Sequence, residues 1–426
     1  MKRRWDRISE GLLVVGLSIV FLIPLALAPI RNNPKHFGRL HPWIANYTIG
    51  GLTIPPRDIR FSLQSALKGD FQKSKADRFN LGFPGREGLI RLTNEVWLRL
   101  FHDTATPTSS VALGRNDTLF EKAYLREYWV RRTEKRLLAP FATKLRRLED
   151  ECRKVGVGFV VVVSPSKASI YPEDAPLAWQ RRYDPRPRAY EQLVELFREN
   201  NISFVDGPAL FRNEKSKSDP SVPLFPKGGT HWNSRGALLV ANATLERLRE
   251  QKMPLEPIDA TDISISYRPE GPERDLLDLI NLARDWRYPC ERVAIKPTVA
   301  PRQLSMSVVG GSFIWELARQ LSMSEQFSEI DFFYYYRLYK SCLVQGRPVT
   351  VRTPAIPLDF ASEIFAADCL LLEMNEQAIP ERENHLSAFV DAALSHLPDP
   401  SAARPAFRRE REAAHPKKNI PAPPSE

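Results

Sequence analysis

Short apolar runs alternate with amphipathic segments along the chain from residue 158 onward. Five of these runs are rich in Val, Ile, Leu and aromatic residues and have the length of strands. They cover residues 158–164, 202–205, 304–309, 330–336 and 369–374. Between them apolar positions recur with helical spacing. This alternation predicts an α/β fold with three layers, in which a parallel sheet of about five strands is covered by helices on both faces.

The region before these strands contains one strong helical pattern and one turn. Five apolar residues lie on one face of a predicted helix over residues 133–155: Leu137, Leu138, Phe141, Leu145 and Leu148. Two short apolar runs flank the polar residues 114–117, which predicts a hairpin over residues 111–120. Residues 256–300 follow neither period, and we interpret them as a loop-rich insertion.

The N-terminus has the pattern of a membrane-spanning helix. Basic residues at positions 2–4 precede an almost uncharged run over residues 11–30, which at about 1.5 Å per residue spans a hydrocarbon core of about 30 Å. The basic flank predicts a cytoplasmic N-terminus, an inner-membrane anchor and a periplasmic main domain. A cleaved signal peptide is the alternative, because residues 26–28 (Ala-Leu-Ala) resemble a cleavage site, but Pro29 directly after them opposes cleavage.

These patterns divide the chain into four parts. We predict a cytoplasmic stub and signal anchor over residues 1–31, an N-terminal extension over 32–130, the α/β domain over 131–397 and a tail over 398–426. The tail is rich in Pro, Lys and Arg and has almost no large apolar residues. It is therefore predicted to be disordered.

Charge and cysteine content narrow the classes of function. The formal net charge of +10 suits anionic surroundings such as lipid headgroups or an acidic polysaccharide. No basic run is interleaved with aromatic residues, so nucleic acid is not a predicted partner. The cysteines lack the spacing of metal ligands, and neither a metal nor a cofactor is predicted. They are Cys152, Cys290, Cys342 and Cys369.

A serine follows the predicted strand 304–309 in a glycine turn. Gly310 and Gly311 precede Ser312, and a helical pattern begins at Ile314. A strand that enters a helix through such a turn holds a serine at the carboxyl edge of the sheet, near the positive end of the helix. An oxyanion formed on attack needs fixed donors nearby, so Ser312 is the candidate nucleophile. A tight turn with a serine helix cap is the structural alternative.

His231 is the candidate base. It lies in a glycine-rich loop over residues 225–233, directly before a predicted helix, and the other six histidines occupy polar, proline-flanked or helical contexts. A neutral imidazole beside Ser312 accepts the serine proton and returns it to the leaving group. A hydrogen-bonded loop histidine is the structural alternative.

Five short segments carry a resemblance to a known family. They are Gly-Arg-Asn-Asp-Thr-Leu-Phe (114–120), Val-Val-Ser-Pro-Ser-Lys-Ala-Ser-Ile-Tyr-Pro-Glu (162–173), Thr-His-Trp-Asn (230–233), Gly-Gly-Ser-Phe (310–313) and Leu-Leu-Glu-Met-Asn-Glu (371–376). In this order, over roughly residues 75–395, they resemble the AlgJ/AlgX type of alginate O-acetyltransferase, whose members are SGNH-hydrolase-like. In that family the histidine precedes the nucleophile, as His231 precedes Ser312 here.

The sequence departs from the family pattern at the third catalytic position. The family usually has Asp-x-His, whereas Gly229 occupies the acid position here. An acid at this place orients the histidine and stabilises its charged form. Three other carboxylates lie at or just beyond the ends of predicted strands and are candidates for the role: Asp206, Glu373 and Glu376. The alternative is a relative with weak or no catalysis.

Six further residues are predicted to contact the oxyanion or the substrate. Five lie beside a motif or beyond a predicted strand, where sites form in parallel sheets, and Trp232 follows His231 directly. They are Gly311, Asn375, Arg337, Lys167, Tyr171 and Trp232.

The resemblance implies a membrane-anchored periplasmic O-acetyltransferase that acts on an exported polysaccharide through a Ser312–His231 acyl-enzyme. It also implies a membrane-bound O-acyltransferase as the source of the acyl group. Two alternatives use the same residues differently. One is an acetyl or carbohydrate esterase, and the other is a non-catalytic polysaccharide-binding scaffold, which Gly229 favours.

Overall fold

The computed structural model describes residues 49, 58–82, 86–104, 110–217, 219–298, 303–353, 358–379 and 384–397. The predicted signal anchor and the predicted tail lie outside the described residues. Within the described ranges no helix has both the length and the apolar character needed to cross a membrane. The chain divides into two units, one of Met1–Ala112 with Leu276–Trp286 and one of Leu113–Asp275 with Arg287–Glu426.

Helices and strands alternate through most of the second unit. The bounds given next cover the described residues of both units. The helices are α1 (Leu63–Leu67), α2 (Asp70–Gly82), α3 (Arg86–Phe101), α4 (Lys122–Trp129), α5 (Lys135–Lys154), α6 (Lys167–Ile170), α7 (Leu177–Gln180), α8 (Ala189–Glu199), α9 (Gly207–Lys215), α10 (Ser234–Glu250), α11 (Asp275–Leu279), α12 (Ile314–Met323) and α13 (His385–Ser395). The strands are β1 (Val111–Leu113), β2 (Leu119–Glu121), β3 (Gly158–Ser164), β4 (Phe204–Asp206), β5 (Ala260–Ser266), β6 (Cys290–Ile295), β7 (Leu304–Gly310), β8 (Phe327–Tyr334), β9 (Tyr339–Val344), β10 (Arg347–Arg352) and β11 (Cys369–Asn375).

The main sheet has seven strands in the order β10-β9-β8-β7-β11-β3-β4. The five predicted strands are β3, β4, β7, β8 and β11, and they pair in parallel. The prediction of an all-parallel sheet was wrong, because β9 and β10 add to β8 as antiparallel strands. Only four residues separate β8 from β9, too few for a parallel crossover. Gln345 and Gly346 both have positive φ, as a two-residue hairpin turn requires, and they reverse the chain into β10.

Packing on both faces of the sheet explains why β3, a central parallel strand, is a continuous apolar run. Along β3, Phe159, Val161 and Val163 pack with the apolar faces of α5, α8 and α13. Val160 and Val162 point to the other side and pack with α10 and α12. Because side chains alternate between the faces of a strand, both sets are buried only when helices cover both faces. The predicted α/β/α layering is therefore confirmed.

Three smaller regions lie outside this sheet. In the first unit, Asn94 and Arg91 of α3 donate hydrogen bonds to the backbone oxygens of Ile280 and Leu282, both at 2.8 Å. The predicted hairpin is present as the two-stranded sheet β1–β2. The predicted loop-rich insertion contains the antiparallel pair β5–β6. The strand β5 was missed because its alternation of isoleucine and serine covers only four residues, and these lie at an exposed position outside the core.

The carboxyl ends of β7, β11 and β3 lie side by side, since these strands are neighbours and parallel. They end at Gly310, Asn375 and Ser164. Sites in sheets of this kind form at that edge, where loops replace the hydrogen-bonded ladder. The candidate nucleophile is two residues beyond β7.

Candidate active site

Ser312 lies in the turn between β7 and α12. Gly310 is required at the end of the strand, since a Cβ atom there would lie 2.8 Å from both Cβ and Oε2 of Glu373. The Ser312 side chain is half-buried, and its backbone N–H has no acceptor within the part of the chain that the structure describes. This N–H lies just before the start of a helix and is therefore available to donate to a developing negative charge.

His231 lies 2.8 Å from Ser312, measured from its Nε2 atom to the serine Oγ. The loop that carries it ends at Asn233, whose side chain caps α10 by accepting from the N–H of Gly236 at 2.9 Å. The imidazole packs on the ring of Phe313, with the ring centroids 4.7 Å apart. The cap and the aromatic contact together fix the orientation of the histidine toward the serine.

The carboxylate that contacts His231 belongs to Asp275. Its Oδ2 lies 2.9 Å from the histidine Nδ1, and its Oδ1 accepts from the N–H of Thr230 at 2.7 Å. An ionised carboxylate only accepts hydrogen bonds, so this contact requires the proton on Nδ1. Nε2 is then an acceptor for the hydroxyl of Ser312. The three side chains have the arrangement of a Ser-His-Asp triad.

The three carboxylates predicted from the sequence do not occupy this position. Asp206 caps α9 and bonds the hydroxyl of Tyr190 at 2.6 Å. Glu376 is buried and accepts from the N–H of Ser166 at 2.7 Å. Glu373 contacts the turn before Ser312 instead of the histidine, and it is described below.

The lack of an acid at position 229 and the contact of Asp275 with His231 have the same cause, which is the path of the backbone near Gly229. A Cβ atom at Gly229 would lie 2.7 Å from the carbonyl oxygen of Glu273, and closer still to that of Pro272. The segment 271–275 therefore occupies the space that a side chain at position 229 would need, and it delivers its own carboxylate to the histidine. Tyr288 holds this segment by donating to the carbonyl of Glu273 at 2.8 Å.

The sequence gives little local sign of Asp275. It lies 44 residues after His231, inside the stretch interpreted as a loop-rich insertion. Gly271 and Pro272 mark a turn before a short helix, which places an acid at a helix start, but nothing in the pattern relates that turn to the histidine.

The side chain of Glu373, near the end of β11, accepts hydrogen bonds from residues at or just after the ends of β3 and β7. Its Oε2 accepts from the N–H of Gly311 at 2.8 Å, and its Oε1 accepts from the hydroxyl of Ser164. It is 1% exposed, and burial raises its pKa above the ordinary 4.5, although both hydrogen bonds act in the opposite direction. The contact also corrects the expectation for Gly311, whose N–H is engaged by Glu373.

Exchanging Glu373 for leucine should lower the free energy of unfolding by about 2–5 kcal/mol, because the N–H of Gly311 and the hydroxyl of Ser164 lose their partner. Glutamine, which is neutral at every pH, should cost less. A raised folded pKa contributes stability below pH 4.5 that is lost as the pH rises through the folded value. Denaturant unfolding across this range should show the loss in the parent and a flatter profile in Glu373→Gln. Equal profiles would contradict the raised pKa.

Lys167, which was predicted to contact the substrate, has a structural role. Lys167 is buried, and its ammonium donates to the carbonyls of Leu119 at 2.9 Å, Pro226 at 2.6 Å and Lys227 at 3.2 Å. Burial lowers the pKa of Lys167 to about 7. Its hydrogen bonds hold the loop before His231, so it does not face a substrate.

Three of the four remaining residues that were predicted to contact the oxyanion or the substrate are instead engaged within the protein. The exception is Arg337. The Tyr171 hydroxyl accepts from the N–H of Leu224 at 3.0 Å. Asn375 caps the turn after β11 and donates to the carbonyl of Pro165 at 3.1 Å, so its amide is engaged. Trp232 is 2% exposed and belongs to the core. Arg337 is exposed and lies 4.8 Å over the ring of Tyr336, and its contact with a substrate stays a prediction.

Two residues near the triad were not predicted at all. Burial and the neighbouring charge of Asp275 raise the pKa of Glu121, which is half-buried at the end of β2. Burial also raises the pKa of the Tyr124 hydroxyl well above its ordinary value of 10. Among the described residues no group of His, Cys, Asp and Glu side chains could hold a metal ion.

Comparisons with known proteins agree with the resemblance seen in the sequence. Residues 111–308 match the family model described as the SGNH hydrolase-like domain of acetyltransferase AlgX, and this match ends four residues before Ser312. No curated protein matches the chain.

Solved structures that resemble the chain do so at low identity. The O-acetyltransferase domain of Pseudomonas putida AlgJ is 19% identical, with 67% of this chain and 98% of that chain covered and a TM-score of 0.43. Pseudomonas aeruginosa AlgX is 17% identical, with 67% and 69% covered and a TM-score of 0.41. Bacillus cereus PatB1 with a sulfonyl adduct is 9% identical, with 65% and 98% covered and a TM-score of 0.43.

Proposed function

On the premise that residues 111–308 form an SGNH hydrolase-like domain similar to that of acetyltransferase AlgX, we propose that this protein transfers O-acetyl groups to a polysaccharide through an acyl-enzyme on Ser312. The observation that carries the proposal is the continuous contact from Asp275 through His231 to Ser312, with distances of 2.9 Å and 2.8 Å. Such an arrangement activates a serine that is otherwise a weak nucleophile.

The first half-reaction loads the serine. Ser312 Oγ attacks the acetyl carbonyl of the donor while His231 Nε2 takes the hydroxyl proton. The N–H of Ser312 donates to the oxyanion, and Asp275 stabilises the imidazolium. When the tetrahedral intermediate collapses, the bond from the acetyl carbon to the donor oxygen breaks. The donor oxygen leaves with the proton from His231, and acetyl-Ser312 remains.

The second half-reaction transfers the acetyl group from Ser312 to the sugar. A sugar hydroxyl gives its proton to His231 Nε2 and attacks the acetyl carbon. The bond between that carbon and Ser312 Oγ then breaks, and the proton returns from His231 to the serine. Water in place of the sugar would make the protein an esterase, so the acceptor must occupy the site in preference to water.

We further propose the setting that the sequence predicts, in which the N-terminal anchor places the domain in the periplasm beside a membrane-bound O-acyltransferase that supplies the acetyl group. The non-catalytic alternative was motivated by Gly229, the position that lacks its acid. Asp275 removes that motivation, because His231 has a carboxylate partner after all.

The experiment is a measurement of intact mass after the full-length protein is briefly incubated with an activated acetyl ester. We expect one added acetyl group, located by peptide mapping on the segment that contains Ser312. Acetate release without any sugar would favour the esterase. A protein that shows neither the adduct nor ester turnover would contradict the proposal.

A further inference from the structure

Four aromatic side chains form a group beside Ser312. They belong to the first turn of α12, the end of β8 and the start of β9: Trp315, Tyr334, Tyr335 and Tyr339. Tyr334 and Tyr339 have ring centroids 4.6 Å apart at 30°, and Tyr339 stacks on Trp315 at 5.9 Å and 27°. Tyr335 meets Tyr334 at 4.5 Å. We call these four residues the aromatic shelf.

The shelf is accessible, unlike the aromatic residues next to it in the sequence. Tyr335 is 39% exposed and the other three members are half-buried. By contrast Phe332, Phe333 and Tyr336 are buried in the core. Trp315 and Tyr334 pack against the core, whereas Tyr335 lies outside it, so the shelf is an edge of that core that remains accessible.

The backbone is strained where it presents Tyr335. Tyr335 has φ of 44° and Tyr336 has φ of 66°, a conformation that bulky residues rarely adopt. The turn sends Tyr336 inward, where its ring lies 5.3 Å from that of Phe389, and leaves Tyr335 outside. Strain of this kind persists only where the surrounding structure enforces it, and it concentrates at functional sites.

The shelf reaches the residue next to the nucleophile. A Cβ atom at Gly311 would lie 3.3 Å from Cε1 of Tyr335 and 3.4 Å from its hydroxyl oxygen. The phenol ring thus covers Gly311, directly before Ser312. A molecule packed on Tyr335 would therefore lie beside the residue that precedes the acetyl-serine.

We infer that the aromatic shelf is the acceptor subsite and that it binds a pyranose ring of the polysaccharide. One face of a pyranose carries C–H groups that pack on aromatic faces, while its hydroxyls point outward to water or to the serine. An acetyl group has no such face, so the shelf matches the sugar acceptor and not the acetyl group that is transferred. This inference rests on the proposed function for the identity of the reaction.

The test measures binding in full-length Ser312→Ala protein, so that no acetyl transfer is needed. The probes are a hexasaccharide of a uronic acid and a neutral hexasaccharide of glucose, titrated by calorimetry. We expect at least one probe to bind, and Tyr335→Ala to raise its dissociation constant about five- to tenfold. Tyr335→Phe keeps the ring and should stay within about twofold of the parent.

Two controls separate stacking from a general loss of structure. Tyr183→Ala removes a tyrosine that is 59% exposed and contacts Trp129, outside the shelf, and should leave binding unchanged. Tyr335→Leu keeps a larger apolar side chain than alanine but no flat ring, and should weaken binding as alanine does while the unfolding midpoint stays near that of the parent.

The outcomes distinguish this inference from the proposed function. Binding that Tyr335→Ala does not weaken, or no binding by either probe, would overturn the shelf even if acetyl-Ser312 forms. Binding that depends on Tyr335 in a protein that never acquires an acetyl group would retain the shelf and contradict the acetyltransferase.

Discussion

Ser312→Ala and His231→Ala are each expected to lower the rate of acetyl transfer by about six orders of magnitude, and the double variant by no more than either alone. The serine forms the covalent bond, and the 2.8 Å contact from its Oγ to Nε2 is the route by which its proton leaves. Neither side chain can act in the reaction without the other, so the effects of the two substitutions on the activation free energy do not add. Initial rates with an activated acetyl ester and an oligosaccharide acceptor measure this.

The control for these variants is Ser395→Ala, which changes an exposed serine at the end of α13. It should transfer acetyl at the parent rate. Losses of Ser312→Ala and His231→Ala that multiplied in the double variant would indicate two independent roles, and the triad mechanism would have to be abandoned.

Asp275→Asn is expected to lower the rate by about four orders of magnitude with little change in stability, by analogy with the same exchange in serine proteases. An asparagine amide in place of the carboxylate donates to Nδ1 and so places the imidazole proton on Nε2. The histidine then cannot accept the proton of Ser312. The rate should be measured with the same ester and acceptor, and the unfolding midpoint recorded beside it.

Two matched variants sharpen this prediction. Asp206→Asn retains a side chain able to cap α9 and should keep the parent rate, because Asp206 does not contact the histidine. Gly229→Asp should not rescue Asp275→Asn, because its Cβ would collide with the backbone at Pro272 and Glu273. A parent-like rate for Asp275→Asn, or its rescue by Gly229→Asp, would show that the acid is supplied differently.

The sequence predicted the parts of the site that depend on local pattern. The run before Ser312 combines apolar residues with two serines and ends in glycines, and His231 lies between a glycine-rich loop and a helix cap. Both features depend on residues within a few positions, so a single sequence displays them. The structure brings these two side chains together, as expected.

The features that were not predicted depend on contacts between segments that are distant in the sequence. Lys167 was predicted to contact the substrate because it lies just beyond the first predicted strand, at the edge of the sheet where sites form. Its burial depends on three carbonyls from β2 and the loop 226–227, which no local pattern shows. Asp275 was missed for the same reason. The antiparallel strands β9 and β10 were missed because their short alternating runs are weaker signals than the buried parallel strands.

The close approach of the backbone at residues 272–273 to Gly229 also limits how such a site can evolve. An ancestor with aspartate at position 229 could not have gained Asp275 by one substitution, because the incoming segment and the old side chain exclude each other. The two arrangements are alternatives separated by a rearrangement of the main chain. A search for relatives by the Asp-x-His pattern would therefore discard proteins of this kind as inactive, whereas a glycine at that position beside a crossing chain indicates that the acid has moved.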